Sequence, residues 1–193
     1  MNSTIITIIV VVAVVVVIAV VALLLASRKR REQQERQEEA RREYGPEYER
    51  AVEERGSEGK AESELRERRE KVEGEVRTLS EESRRKYAEE WEKVERTFVD
   101  DPAGALDSAD RVVAEIMAER NFPTDSREEA SKSLGVMHSD VVEDFREAQK
   151  VHQEAAGAPE AEGSNGDSGG EDLEKMRKAI QEYRSVYERL TGE

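Results

Sequence analysis

The sequence predicts an all-α protein held in a membrane: one N-terminal transmembrane helix continuing into a charged helix, then a small antiparallel helical bundle and a C-terminal amphipathic helix. Three observations carry this reading. Ile5 to Ala26 is a run of 22 residues that is apolar except for Thr7, about 33 Å of helix at ~1.5 Å per residue and enough to cross a hydrocarbon core of ~30 Å. Behind it, apolar residues recur at spacings of three and four, the period of an amphipathic helix. Serine, aspartate and proline stand where such stripes begin, as N-caps and first-turn residues do.

The anchor occupies residues 1–27. Arg28-Lys29-Arg30-Arg31 follows it at once while Met1-Asn2-Ser3-Thr4 is uncharged, and basic residues beside a span are retained in the cytoplasm. The expected topology is a single-pass cell-membrane protein with its N-terminus outside and its C-terminal part cytoplasmic. A cleaved signal peptide needs a basic segment before an apolar stretch of roughly 7–15 residues. Here the run is longer and the charge lies on its other side.

Residues 28–45 read as a charged juxtamembrane helix with seven basic and five acidic side chains before Gly45. Arg31 with Glu35, Glu32 with Arg36 and Glu38 with Arg42 stand at i,i+4 and support helix; Gly45-Pro46 ends it. Residues 46–79 form peripheral helices. Pro46 opens one with Tyr48, Ala51 and Val52 on its apolar face and Gly56 as C-cap; Leu65, Val72 and Val76 are nearly alone on the next, which is expected to be mostly surface and to fray.

Residues 80–156 are the helical bundle. Ser80 caps a helix carrying Tyr87, Trp91, Val94 and Phe98 on one stripe. Asp101-Pro102 opens a second with Leu106, Ala109, Val112, Val113, Ile116 and Met117 inward, ended by Asn121-Phe122-Pro123. Ser126 with Glu129, and Asp140 with Glu143, have the spacing of capping boxes for two more helices, the latter carrying Val141, Val142, Phe145 and Ala148. Leu, Ile, Val and Phe make about 18 per cent of this stretch, so the bundle needs another element to cover it. The glycine-rich residues 157–171 read as a flexible linker. In the amphipathic helix of residues 172–193, Leu173, Met176, Ile180, Tyr183, Tyr187 and Leu190 repeat as heptads with Val186 beside them; it docks on its own bundle or on a second chain.

The familiar chemistries do not fit. His138, Ser139 and Asp140 are consecutive and diverge, so they make no nucleophile–base relay, and His152 falls on a polar helix side. Asn165 to Gly170 lacks the oxygen ligands of a calcium loop, with Gly169 and Met176 at two ligand positions. Asp100, Asp101, Asp107 and Asp110 are accounted for by capping and solvation. Gly163, Gly166 and Gly169 have neither the strand nor the Lys-Ser/Thr of a phosphate loop. Trp91 belongs first to a core stripe. The chain has no cysteine, which excludes disulfides and thiolate chemistry. No catalytic, cofactor-binding or metal site is expected.

Residues 44–193 hold 24 basic and 40 acidic side chains, a net of −16. Such a domain is repelled by nucleic acid. The partners implied are the membrane, other proteins through helix surfaces, and a second copy of the chain in a homo-oligomer. These expectations describe a membrane-tethered acidic helical protein-interaction module, a scaffold or adaptor and not an enzyme. The alternative is a structural stalk that oligomerises as a coiled coil through its charged rod and C-terminal heptads.

Four stretches carry a resemblance: YGPEYERAVEERG at 44–56, FVDDPAGALDSADRVVAEIMAERNFP at 98–123, HSDVVEDFREAQ at 138–149 and MRKAIQEYRSVYERL at 176–190. With the anchor, the chain resembles an uncharacterised group of single-span actinobacterial proteins, often labelled hypothetical or secreted. The resemblance implies a single span and supplies no site, since the group has no established activity.

Overall fold

The computed structural model describes residues 34–157 and 168–192, with Leu23, Leu24, Ser27, Arg28 and Arg31. The expected span over 1–27 lies almost wholly outside the described residues, as does most of the expected linker. Among the described residues no helix is long and apolar enough to cross a membrane, and all regular secondary structure is helical.

The chain divides into residues 1–43 and 44–193. In the first, Arg42 pairs with Glu38 at 3.9 Å across one turn, the i,i+4 contact its spacing predicts. Helix α1, residues 34–44, stops at Gly45 with φ 51°, a conformation glycine adopts without a Cβ penalty. Pro46 then starts α2.

The second unit contains α2 (Pro46–Arg55), α3 (Glu58–Glu75), α4 (Glu81–Asp100), α5 (Pro102–Glu119), α6 (Arg127–Met137), α7 (Val142–Gly157) and α8 (Ser168–Thr191). The caps are those the sequence announces. Ser80 Oγ accepts from Ser83 N at 3.0 Å, Asp101 Oδ1 from Gly104 N at 2.9 Å and Ser126 Oγ from Glu129 N at 3.1 Å. The α7 start differs. The Val141 carbonyl accepts from Phe145 N, so Asp140 stands one residue before the capping position, and its carboxylate faces Arg189 at 3.5 Å.

Helix α5 is the centre because both of its apolar flanks are used. It packs against α4, α7 and α8, burying Ala105, Leu106, Ala109, Val112, Val113, Ile116 and Met117. Helix α8 supplies the cover that the sparse bundle lacks, lying on α5 and α7. Its buried positions are Ala179, Tyr183, Val186 and Leu190, one stripe at spacings of four, three and four. The heptad expected from Leu173 is therefore rotated: Ala179 is inside, Ile180 and Tyr187 are half-buried, and Leu173 is 46% exposed. Small Ala179 lets the helices approach where a larger residue would hold them apart.

The α2–α3 hairpin packs on α6. Tyr48, Ala51, Ala61, Leu65 and Val72 are all buried, so α3 has an inward stripe of its own and is more than a surface helix. Arg120, also buried, closes the opposite joint. Its Nε donates to the Arg77 carbonyl at 3.0 Å and its Nη1 to the Leu190 carbonyl at 2.9 Å, satisfying a last-turn carbonyl of α8 with a charge that suits a helix C-terminus.

Candidate functional site

One polar cluster joins side chains of α5, α6, α7 and α8. Asp107 and Asp110 are one turn apart on α5 and face α7 and α8. His152 of α7 places Nε2 3.1 Å from Asp107 Oδ1 and Nδ1 3.6 Å from Asp110 Oδ2. The first residue of α6, Arg127, reaches both Asp110 Oδ2 and His152 Nδ1 at 3.5 Å. From α8 the Tyr183 hydroxyl donates to Asp110 Oδ1 at 2.6 Å. The Asp110 side chain is only 19% exposed, whereas that of Asp107 is 75% exposed.

Electrostatics assign the roles. Burial first, then the negative charge of Asp110, pushes the Tyr183 phenol far above its ordinary range, so it is a fixed neutral donor. Asp110 accepts from Tyr183 on one oxygen and from Arg127 on the other, which makes it the shared acceptor of α8 and α6, while His152 of α7 is held by Asp107. Charge-assisted hydrogen bonds of this kind are stronger than neutral ones. The cluster orients α6, α7 and α8 on α5. Beside it a cleft of about 160 Å³ is lined by Asp110, Arg127, Phe145 and Gln149.

A second polar joint holds α2. Glu47 is buried and pairs with Arg146 of α7, whose Nη1 also reaches Glu143 at 2.8 Å. Gly135 of α6 faces it: a Cβ there would lie 2.4 Å from Glu47 Cγ. A side chain at 135 would therefore force the Glu47 side chain to shift.

The residues singled out in the sequence do not converge. His138 is buried with its ring 6.1 Å from that of Phe122, Ser139 lies against Gly45, and Asp140 faces Arg189. Asp101 is the α5 cap and Asp100 is exposed. Trp91 is buried, stacked on Tyr187 with centroids 4.8 Å apart and planes at 16°. His152, expected in solvent, has a side chain only 12% exposed. Asp107 and Asp110 stand one turn apart in the sequence, but nothing local in it says that α7 brings a histidine to them. Among the described residues no group of three or more His, Cys, Asp or Glu is arranged to hold a metal ion.

The arrangement thus defines an all-helical domain whose polar residues join helices. No family model, no curated protein and no solved structure matches the chain.

Proposed function

We propose that this chain is a membrane-tethered, acidic, helical interaction module, a scaffold or adaptor that engages other proteins through helix surfaces on the cytoplasmic side, as a member of the single-span group it resembles. The observation that carries the reading is the joining of two unlike parts in one chain. An apolar run long enough to span is followed directly by Arg28 to Arg31, and then by an acid-rich domain whose helices close on one another. The span fixes the domain at a surface, the basic cluster sets its side, and a net of −16 over residues 44–193 favours partners with basic faces.

The buried polar residues support a structural rather than a reactive role. Asp110 is occupied by Tyr183 and Arg127, His152 by Asp107, and Glu47 by Arg146. The stalk reading is less well supported. The α8 positions that would pair in a coiled coil include Tyr183 and Leu190, and these are buried against the chain's own bundle.

Affinity purification of the full chain from detergent-solubilised membranes, with mass spectrometry of the eluate, tests the proposal. A protein with a basic face that co-elutes in fixed ratio and is released by salt supports it. Elution of the chain alone after cross-linking in intact cells overturns it.

A further inference from the structure

Gln149 interrupts the apolar face of α7. It stands one turn after Phe145, on the same inward stripe, and is 8% exposed. A buried amide has a carbonyl acceptor and two donor hydrogens to satisfy. Among the described residues Gln149 has one contact: Ser131 Oγ donates to its Oε1 at 3.5 Å, and its amide nitrogen has no partner. Arg127, at the start of α6, is also under-bonded. Its contacts to Asp110 and His152 both run through Nη2 at 3.5 Å, beyond the roughly 2.7–3.2 Å of a full N–H···O bond. Nε and Nη1 have no hydrogen-bond partner among the described residues.

Both side chains line the cleft between α5, α6 and α7. Its walls include Ala114 and Met117 of α5, Ala130 of α6 and Phe145 of α7, around about 160 Å³. Water suits the polar end and not the rest, because a bound water needs roughly two to four polar partners and these four side chains offer none. An apolar cavity of about 150 Å³ takes up benzene, so the volume suits a single six-membered ring. Asp110 also borders the cleft, but its oxygens already accept from Tyr183 and Arg127. The groups left without partners are donors. Arg127 and Gln149 also border a neighbouring polar groove, whose bases Arg50, Lys132 and Arg146 are paired with Glu143, Glu54 and Glu47.

We propose that this cleft binds a small monocarboxylate whose apolar body is the size of one benzene ring. The body lies against Met117, Ala130 and Phe145. The carboxylate accepts from Arg127 on one oxygen and from the Gln149 amide on the other, and such charge-assisted bonds are stronger than neutral ones. Asp110 beside the site selects a single negative charge, because a doubly charged phosphate meets greater repulsion at the same distance. The site lies within the bundle and depends neither on the tether nor on the protein partner proposed above.

The test titrates the purified full chain, labelled at methionine methyls and glutamine side-chain amides, with sodium benzoate. The Met117 methyl and Gln149 amide signals should shift together in the NMR spectrum and saturate with a Kd of the order of 1 mM. Benzyl alcohol, which has the ring without the charge, should bind about tenfold more weakly, and phenyl phosphate should also bind more weakly. Gln149→Met and Arg127→Gln should each weaken benzoate binding about tenfold. Ala114→Leu, at an exposed wall position, should fill the cleft and abolish the shifts while helical circular dichroism is unchanged. The ligand comparisons need no variant, so they decide the matter even where a substitution unfolds the chain. Absence of saturation up to about 20 mM, equal binding of benzoate and benzyl alcohol, or tighter binding of phenyl phosphate overturns the proposal. So does benzoate binding that folded variants leave unaltered.

Discussion

Replacing Trp91 with alanine tests the core at the point where α8 closes it. The indole is 4% exposed, stacks on Tyr187 at 4.8 Å, and its Nε1 donates to Glu95 Oε1 at 3.2 Å. Loss of a well-packed aromatic costs about 3–5 kcal/mol, of which roughly 0.5–1.5 kcal/mol belongs to the ring pair. A domain of this size has about 5–15 kcal/mol in all and loses about 2–4 °C in Tm for each kcal/mol. Trp91→Ala in a fragment of residues 44–193 should therefore lower Tm by about 6–20 °C, and Trp91→Phe, which keeps a ring against Tyr187, by less. Helical circular dichroism reads both variants, and the chain's single tryptophan gives an independent fluorescence melt of the wild type. A shift of less than about 2 °C in Trp91→Ala would refute the packing argument. If it came with loss of a co-purifying protein, Trp91 would be a binding anchor.

Three further outcomes follow from the same contacts. Truncation after Gly157 removes Tyr183, Val186 and Leu190 from the core and the carbonyl partner of Arg120, so the 44–193 fragment, a monomer at micromolar concentration by sedimentation, should lose cooperative melting; an unchanged melt would show that α8 does not belong to the bundle. Gly135→Ala forces a Cβ onto Glu47 and disturbs its buried pair with Arg146, costing about 1–3 kcal/mol as overpacking does, whereas Gly59→Ala, where nothing lies within 4 Å, should leave the denaturant midpoint unchanged or raise it. Burial, aided by acceptance from Tyr183 at Asp110 and from Tyr87 at Glu119, holds both phenols neutral well above the usual tyrosine range; a group raised in the folded state contributes stability that is intact below about pH 10 and lost as pH rises beyond it. Ultraviolet titration should then show these two of the five tyrosines ionising only with alkaline unfolding, and early ionisation of all five would contradict their burial.

What the sequence displays is what one helix decides alone. Ser80, Asp101-Pro102 and Ser126 mark their helices because capping is local, and the α5 stripe from Leu106 to Met117 is read correctly because all of it faces inward. The α8 stripe is rotated from the heptad of large residues because the inward face includes small Ala179, which the spacing of large side chains does not mark. Asp140 has the spacing of a cap, but its pairing with Arg189 depends on a helix 49 residues away. The cluster of Asp107, Asp110, Arg127, His152 and Tyr183 was invisible for the same reason: periodicity says which residues turn inward and not which polar ones meet. The inward stripe of α3, Ala61, Leu65 and Val72, is visible in spacing but sparse among the charges that surround it.

Protease protection measures both the proposed tether and its side. In sealed right-side-out membrane vesicles the full chain should sediment with the membrane, and residues 28–193 should stay uncut by external protease until detergent opens the vesicle. Digestion of that part while an enclosed marker protein remains intact, or recovery of the chain in the soluble fraction, would contradict it.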